Sequence, residues 1–185
     1  MRRLTLILCL VLFCCLAASA SEWPRFRGPN GNGITPATAV PDRFGPASDN
    51  IVWKAPLPPG HSSPVFWGER IFLTASEGGT AKDLGRQKIA DEGGRLLTIC
   101  LDSRTGRILW RREAPRPRLE RFQPTNSAAS PSPVTDGKNV YVFFGDFGLL
   151  AYSMDGKELW RHPLGPFNNV NGHGSSPILD GDLLI

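Results

Sequence analysis

Three stretches of this 185-residue sequence open in the same way, and that internal repeat constrains the fold more than any other feature. Each stretch begins with Ser-Pro and an aliphatic residue, continues through a glycine-containing turn and enters an apolar run. The three openings are Ser63-Pro64-Val65, Ser132-Pro133-Val134 and Ser176-Pro177-Ile178. Self-similarity at a period of roughly 20–50 residues is typical of solenoids and propellers. The repeat therefore predicts the architecture before any single motif is considered.

The second copy can be divided into strands. Four β-prone runs, at about residues 132–135, 139–144, 149–154 and 157–162, are separated by glycine-containing turns. Asp-Gly turns between such runs are a strong hairpin signal. Consecutive apolar residues in the middle two runs predict strands buried on both faces, which requires protein above and below the sheet. Radially stacked four-stranded antiparallel blades meet that requirement, so the sequence predicts an all-β propeller.

The first copy is longer than the second, and we expect its excess in loops. Residues 77–94 are polar and rich in glycine, while residues 114–126 are rich in proline and arginine. Surface loops are where insertions are usually tolerated. The third copy stops inside its second strand, which indicates an incomplete propeller of about two and a half blades, either the N-terminal part of a longer protein or a truncated reading frame. The predicted blades span about residues 62–113, 130–162 and 175–185, within a propeller region of 61–185.

The first 20 residues have the pattern of an export signal. Arg2 and Arg3 precede an apolar run at residues 4–18, and small residues follow at the expected cleavage point. The run is shorter than the roughly 20 residues that a membrane span needs. We therefore expect a periplasmic or secreted protein with a lead-in segment over residues 21–60 and no transmembrane span after cleavage. A retained N-terminal anchor is the alternative.

Cysteine usage and charge argue against several functions. Three of the four cysteines lie in the predicted signal, which leaves Cys100 without a partner for an intramolecular disulfide. Loss of Arg2 and Arg3 lowers the formal net charge from +4 to +2, so no nucleic-acid partner is expected. The arginine-rich stretch at 104–121 could contact an anionic partner. We expect instead that several of its arginines lie on an outer strand, where charge discourages pairing between molecules.

The sequence at residues 100–110, CLDSRTGRILW, closely resembles the repeat of the pyrroloquinoline-quinone-type (PQQ-type) β-propellers, A-x-D-x-x-T-G-x-x-x-W. The sequence AYSMDGKELW at residues 151–160 is similar to it, with Ser153 at the Asp position and one residue fewer before the tryptophan. The corresponding residues are Asp102, Thr105, Gly106 and Trp110 in the first copy, and Asp155, Gly156 and Trp160 in the second. The resemblance covers about residues 62–185, and the lead-in WPRFRGPNGNG is similar to that of exported bacterial members.

The resemblance implies a structural role for these motifs. In that family the tryptophan packs between neighbouring blades, and the Asp and Thr-Gly residues hold the turn before it. Trp110 and Trp160 are therefore expected to dock adjacent blades, with Trp53 closing a degenerate earlier strand. An indole suits this role, since it combines a large apolar area with one N–H that needs a partner.

Membership of that family does not imply the quinone. Quinoprotein dehydrogenases with this repeat bind PQQ and calcium through carboxylate and amide ligands, and they often have a disulfide between adjacent cysteines. The adjacent cysteines of this chain, Cys14 and Cys15, lie in the predicted signal, and no Asp or Glu cluster in 21–185 has obvious metal-ligand spacing. We therefore expect no cofactor, metal or catalytic residue. The alternatives are the N-terminal part of a PQQ- and calcium-dependent oxidoreductase, and the sensor portion of a longer extracytoplasmic protein.

Polar residues ahead of the blade openings form the candidate binding site: His61, Ser62, Asn126, His173 and Ser175. The first strand of a propeller blade is the innermost, so residues that enter it line the central funnel. Imidazole and amide groups there could bind a ligand or metal, or could bond to turns of neighbouring blades. The expected function is an exported, non-catalytic scaffold that binds a protein partner or a small ligand at this funnel.

The lead-in sequence at residues 23–33 has three glycines that invite a phosphate-loop interpretation. No strand precedes it, no helix follows, and Gly-Lys-Ser/Thr is missing. We expect a solvent-exposed segment with Trp23 and Phe26 held against the propeller.

Overall fold

Strands and turns make up the described part of the chain. The computed structural model describes residues 22–36, 41–45, 48–83, 88–90, 93–167, 169 and 171–185. The predicted export signal at residues 1–20 lies outside these ranges. Within them, no helix has the length and apolar character needed to cross a membrane. The strands are β1 (Val65–Trp67), β2 (Arg70–Glu77), β3 (Ala81–Asp83), β4 (Lys88–Ala90), β5 (Arg95–Asp102), β6 (Ile108–Ala114), β7 (Arg121–Phe122), β8 (Val134–Thr135), β9 (Asn139–Phe144), β10 (Gly148–Ser153), β11 (Glu158–Pro163), β12 (Leu179–Asp180) and β13 (Leu183–Leu184).

Two four-stranded antiparallel sheets form successive blades. The first has the strand order β1-β2-β5-β6 and the second the order β8-β9-β10-β11. The four runs predicted in the second copy lie within two residues of β8–β11 at every boundary. The third copy contributes the antiparallel hairpin β12–β13, in which Leu179 pairs with Leu184. The prediction of an all-β, partial propeller of four-stranded antiparallel blades is confirmed.

The prediction that residues 77–94 and 114–126 are only loops is wrong in part. Within them, β3, β4 and β7 join in a separate three-stranded sheet. The pairs Lys88–Phe122 and Ile89–Arg121 connect the insertion of the first blade to the link between blades. Such strands of two or three residues are too short to show an alternating apolar pattern, so the sequence does not reveal them.

The main hydrophobic core lies between the two blades. Phe72 and Leu96 of the first blade cluster with Val142, Leu150 and Tyr152 of the second, and all five are fully buried. Burial of such side chains contributes roughly 1.5–3 kcal/mol each relative to exposure. The blades are therefore held face to face by apolar packing.

The second face of each blade is covered to a different extent. In β2 and β5 both faces are buried, because Trp53 and Leu57 pack over the far side of the first blade, beside Phe66 of β1. Strand β9 instead alternates, with Tyr141 and Phe143 partly exposed. Burial on both faces is therefore wrong for β9. The first blade covers one face of this strand, whereas the described part of the third copy offers only a short hairpin to the other.

Candidate functional site

Because successive strands of a blade run in opposite directions, the connections between them lie on two opposite faces. The turns from the first to the second strand and from the third to the fourth lie together on what we call the turn face. The remaining connections form the loop face. The turn face comprises residues 67–70, 102–108, 135–139 and 153–158, and the loop face comprises the described residues within 77–95, 114–134, 144–148 and 163–178.

Trp110 lies on the boundary between the two blades. Its ring centroid is 5.9 Å from that of Phe72 in its own blade and 6.0 Å from that of Tyr152 in the next. Its Nε1–H donates to the carbonyl oxygen of Met154 at 2.8 Å, in the turn face of the second blade. The indole is 8% exposed. It thus contacts both sheets and has its one polar atom satisfied.

Trp53 makes an equivalent contact without belonging to a strand. Its Nε1–H donates to the carbonyl oxygen of Ser103 at 2.8 Å, and its ring lies against Gly106, as that of Trp110 lies against Gly156. Trp160 stands at the same repeat position but is 41% exposed and contacts Tyr141 of its own blade.

Trp67 is a further residue at the junction that sequence reasoning missed. It lies at the end of β1, and its indole packs against Gly137 in the first turn of the second blade. The signal that could have found it is the Asp136-Gly137 turn, whose glycine has no side chain to keep a neighbouring ring away.

The two copies close their turns differently. The Asp102 carboxylate accepts hydrogen bonds from the hydroxyl and amide of Thr105, both at 2.8 Å, and from the amide of Arg104 at 3.0 Å. These bonds, that of the Thr105 hydroxyl first, lower the pKa of Asp102. In the second copy the Ser153 hydroxyl accepts the amide of Lys157 at 3.1 Å. Asp155 points outward and pairs with Arg70 of the first blade at 2.7 Å.

Replacing Gly156 with alanine should lower the free energy of unfolding by about 2–4 kcal/mol. Its φ of 79° is costly for any side chain, and an added Cβ would lie 2.6 Å from the Trp110 ring. Gly68→Ala is the control, since Gly68 has a φ of 57° and no atom within 4 Å of an added Cβ. The control should lose about 1 kcal/mol in urea unfolding. Equal losses would contradict a contact role for Gly156.

At the entrances to the blades, the predicted funnel residues have different hydrogen-bond partners. His61 is exposed, and its amide donates to Ala129 at 3.1 Å. The Ser62 hydroxyl accepts the amide of Thr74 at 3.0 Å and donates to its carbonyl at 3.1 Å. Asn126 donates through Nδ2 to the carbonyl of Asn171 at 3.2 Å, two residues before His173. The structure therefore brings Asn126 close to the loop of His173. It places Ser62 against the second strand of the first blade, and His61 between that blade and Ala129 of the segment that enters the second.

A series of serines connects the three blade openings, and sequence reasoning did not anticipate it. The amide of Ser63 donates to the hydroxyl of Ser132 at 2.9 Å, and the amide of Ser132 donates to the hydroxyl of Ser176 at 2.9 Å. Each of these serines directly precedes the proline of its Ser-Pro opening. The hydroxyls thus connect successive blades where their first strands begin.

Two largely buried ion pairs occupy the loop face. Nε of Arg116 lies 2.6 Å from Oδ2 of Asp146, with side chains 9% and 2% exposed. Nε of Arg118 lies 2.8 Å from Oε1 of Glu120, with side chains 22% and 10% exposed. We call these four residues, with His173 beside them, the loop-face cluster. Burial raises the pKa of Asp146 despite the nearby Arg116, so desolvation is the stronger influence on this carboxyl group.

The loop-face cluster joins segments that are distant in the sequence. The Asp146 carboxylate in the β9–β10 turn accepts the amide of Glu120 at 3.1 Å, and the Glu120 carboxylate accepts the amide of Phe167 at 3.0 Å. Arg118 donates to the carbonyl of Gly145 at 2.7 Å. The segments that follow β6 and β11, the outer strands of the two blades, are thereby both attached to the β9–β10 turn.

His173 closes one side of this cluster. Its ring lies 4.5 Å from that of Phe167 and 5.5 Å from that of Phe143. Its Nε2 is buried and has no hydrogen-bond partner among the described residues. A cavity of about 10 Å³ lined by Glu120, Asp146 and His173 lies beside it, which is room for about one water molecule.

The stability of the chain should depend on pH through His173. Burial lowers the pKa of His173, although Glu120 and Asp146 oppose this effect. The folded state therefore binds this proton more weakly than the unfolded state, and stability present above about pH 6.5 is lost as the pH falls through the folded-state value. His173→Phe should reduce the fall in the urea midpoint between about pH 7 and 5. The same fall in the urea midpoint in this variant would show that other groups cause the pH dependence.

The loop-face cluster was missed because sequence reasoning assigned the arginine-rich stretch mainly to an outer strand. Arg111 and Arg112 do lie on β6, but Arg116 and Arg118 lie beyond its end and are largely buried. In the described ranges, no group of three or more His, Cys, Asp and Glu side chains is arranged to hold a metal ion.

Comparison with known proteins adds one finding. The family model named PQQ_2, described as outer membrane protein assembly factor BamB, matches residues 43–185 of the sequence, more than half of its length. No curated protein matches the sequence.

Proposed function

The chain belongs to the PQQ_2 family, whose model is described as outer membrane protein assembly factor BamB, and on that premise we propose that it is an exported, non-catalytic scaffold that binds a protein partner on its loop face. The name of the family model refers to assembly of other proteins, which favours a binding role over catalysis. The signal pattern at residues 1–20 supports export to the periplasm or the exterior. The tryptophans at the blade boundaries have the structural docking role in this proposal.

The observation that carries the proposal is the way the loop face is held. Two largely buried ion pairs fix the links between blades to one turn, and the sheet β3-β4-β7 pairs the first link with the insertion of the first blade. A surface that is already ordered loses less conformational entropy when it binds a partner. The exposed side chains of Arg121 and Asn171 lie on this framework and are available for contact.

Site-specific photo-crosslinking in cells that make the full protein tests the binding face. A photoreactive residue at Arg121 on the loop face should give a discrete protein adduct. The matched control is Lys157, which is exposed on the turn face and should give none. Adducts of equal yield from both positions, or from Lys157 alone, would contradict the proposal. The protein in the adduct would then be identified and its complex with the full chain reconstituted.

The alternative, a PQQ- and calcium-dependent oxidoreductase, predicts a different result. Addition of PQQ and calcium to the full protein should, under the scaffold proposal, cause no saturable change in quinone absorbance. Stoichiometric PQQ binding, with dye-linked oxidation of an alcohol or a sugar, would establish the alternative and remove the scaffold proposal. The sensor alternative predicts a domain downstream of Ile185 that responds to ligand, which the coding sequence of the full protein would reveal.

A further inference from the structure

The segment at residues 22–33, here called the axial segment, lies against the first strands of the blades. The amide and carbonyl of Trp23 exchange two hydrogen bonds of 2.9 Å with Phe66 of β1. The carbonyl of Pro24 accepts the amide of Thr135 in β8, also at 2.9 Å. Since β1 and β8 contact each other, they form the edge at which the blades converge. The axial segment thus covers the wall of the central channel. Trp23 is held against the propeller, as expected, whereas Phe26 is 45% exposed.

The axial segment also borders the third copy. A cavity of about 390 Å³ separates Phe26 and Arg27 from Ser175, Ser176 and Ile178. A second cavity, of about 380 Å³, lies between the axial segment and the residues that end β8 and begin β12. The same short segment therefore faces the openings of three successive repeats. Ser175, predicted as a funnel residue, faces this segment.

The axial segment has a compact shape of its own. Arg25 donates to the carbonyl of Gly28 at 3.2 Å and to that of Pro29 at 2.9 Å, while the amide of Gly28 donates back to Arg25 at 2.9 Å. Gly28 is buried with a φ of 76°, and an added Cβ would lie 2.7 Å from the Trp23 ring. A glycine is therefore required for the indole to fold back over the turn.

We propose that the channel wall formed by β1 and β8 is a binding site for a peptide in which Trp-Pro is followed by a glycine-containing turn, filled in this chain by its own axial segment. Main-chain hydrogen bonds supply the affinity, as in other cases where a peptide pairs with an exposed strand. Specificity comes from the indole, which must fold over a glycine. Three intersegment main-chain hydrogen bonds hold the described residues of the axial segment to the two strands. Such a contact is exchangeable, because its persistence depends on the tether that keeps the segment near the wall.

Replacement of the bound axial segment by a free peptide can be tested after the protein has folded. A protease site replaces residues 41–45, four of which are exposed, in the full protein. After cleavage, a dye-labelled peptide with the sequence of residues 22–33 should bind with 1:1 stoichiometry and release the cleaved segment. The uncut protein should bind the peptide at least about 10-fold more weakly, since its tethered segment competes. Labelled peptides with Trp23→Ala or Gly28→Ala are the matched controls, and each should bind at least about 10-fold more weakly.

Three results would overturn this proposal: equal binding to cut and uncut protein, equal binding of the control peptides, or no uptake of the labelled peptide after cleavage. Hydrogen exchange on the uncut protein provides a second measurement that needs no protease site. The amides of Phe66 and Thr135, whose partners lie in the axial segment, should exchange at least about 10-fold faster in a Trp23→Ala variant. Amides paired within β9 and β10 should not change. Unchanged exchange at Phe66 and Thr135 would also overturn it.

Discussion

Replacing Trp110 with alanine is expected to lower the free energy of unfolding by about 3–5 kcal/mol, because the indole fills the space between two blades. The ring is nearly buried, contacts aromatic rings on both sheets and donates a hydrogen bond across the junction. The substitution would leave a cavity and would remove one of the two donors to the carbonyl of Met154, the other being the Arg70 guanidinium. Urea unfolding of the full chain, followed by circular dichroism, measures the loss.

Trp160 supplies the matched control for this experiment. It occupies the same repeat position and has the same local geometry, with Tyr141 at 6.0 Å in place of Phe72 at 5.9 Å. Because 41% of Trp160 is exposed, its replacement by alanine should cost under about 2 kcal/mol. Trp110→Phe keeps much of the apolar contact and removes the donor, which should cost about 1 kcal/mol from the lost hydrogen bond. Similar losses for both alanine variants would contradict the blade-docking role.

Replacing Asp146 with alanine should have an effect of similar size, about 3–5 kcal/mol, because it leaves the Arg116 guanidinium buried without its counter-charge. The same variant removes the acceptor for the Glu120 amide, so the loop face should loosen with it. Asp155→Ala is the control: its ion pair with Arg70 is on the surface, where such pairs contribute about 0–1 kcal/mol. A loss from Asp146→Ala no larger than from Asp155→Ala would contradict the structure of the loop-face cluster.

The double variant Arg116→Met with Asp146→Leu tests how much of that loss of stability comes from leaving the Arg116 charge buried without a partner. Desolvation already raises the pKa of Asp146 in the presence of its partner. Replacing both charges with apolar groups should therefore cost much less than either single change. A double variant as unstable as the sum of the single variants would show that the two residues act independently.

The blades could be predicted from sequence because their signals are local. Ser-Pro openings, Asp-Gly turns and apolar runs each lie within a few residues, and together they placed β8–β11 within two residues of their observed bounds. The positions of Trp110 and Trp160 followed from the same repeats. Their difference in burial did not, because it depends on what each indole meets in the next repeat.

The loop-face cluster and the axial segment could not be predicted in this way. Arg116 and Asp146 are 30 residues apart in sequence, and no spacing rule connects a link between blades to a hairpin turn. The glycines of the axial segment indicated turns, but a turn does not specify the surface on which it packs. In both cases the contacting residues come from separate blades. Their contact depends on how the sheets assemble, which no short stretch of sequence specifies.

The serine bonds at the blade openings bear on how a protein of this kind can grow. The hydroxyl of Ser132 accepts a hydrogen bond from the opening of the preceding blade, and the amide of Ser132 donates one to the opening of the following blade. Each Ser-Pro opening carries the same two groups. A gene segment that encodes one blade with its opening therefore brings both halves of the connection when it is duplicated. The number of blades can therefore change by whole units, because tandem duplication of such a segment needs no new contact at the junction between blades.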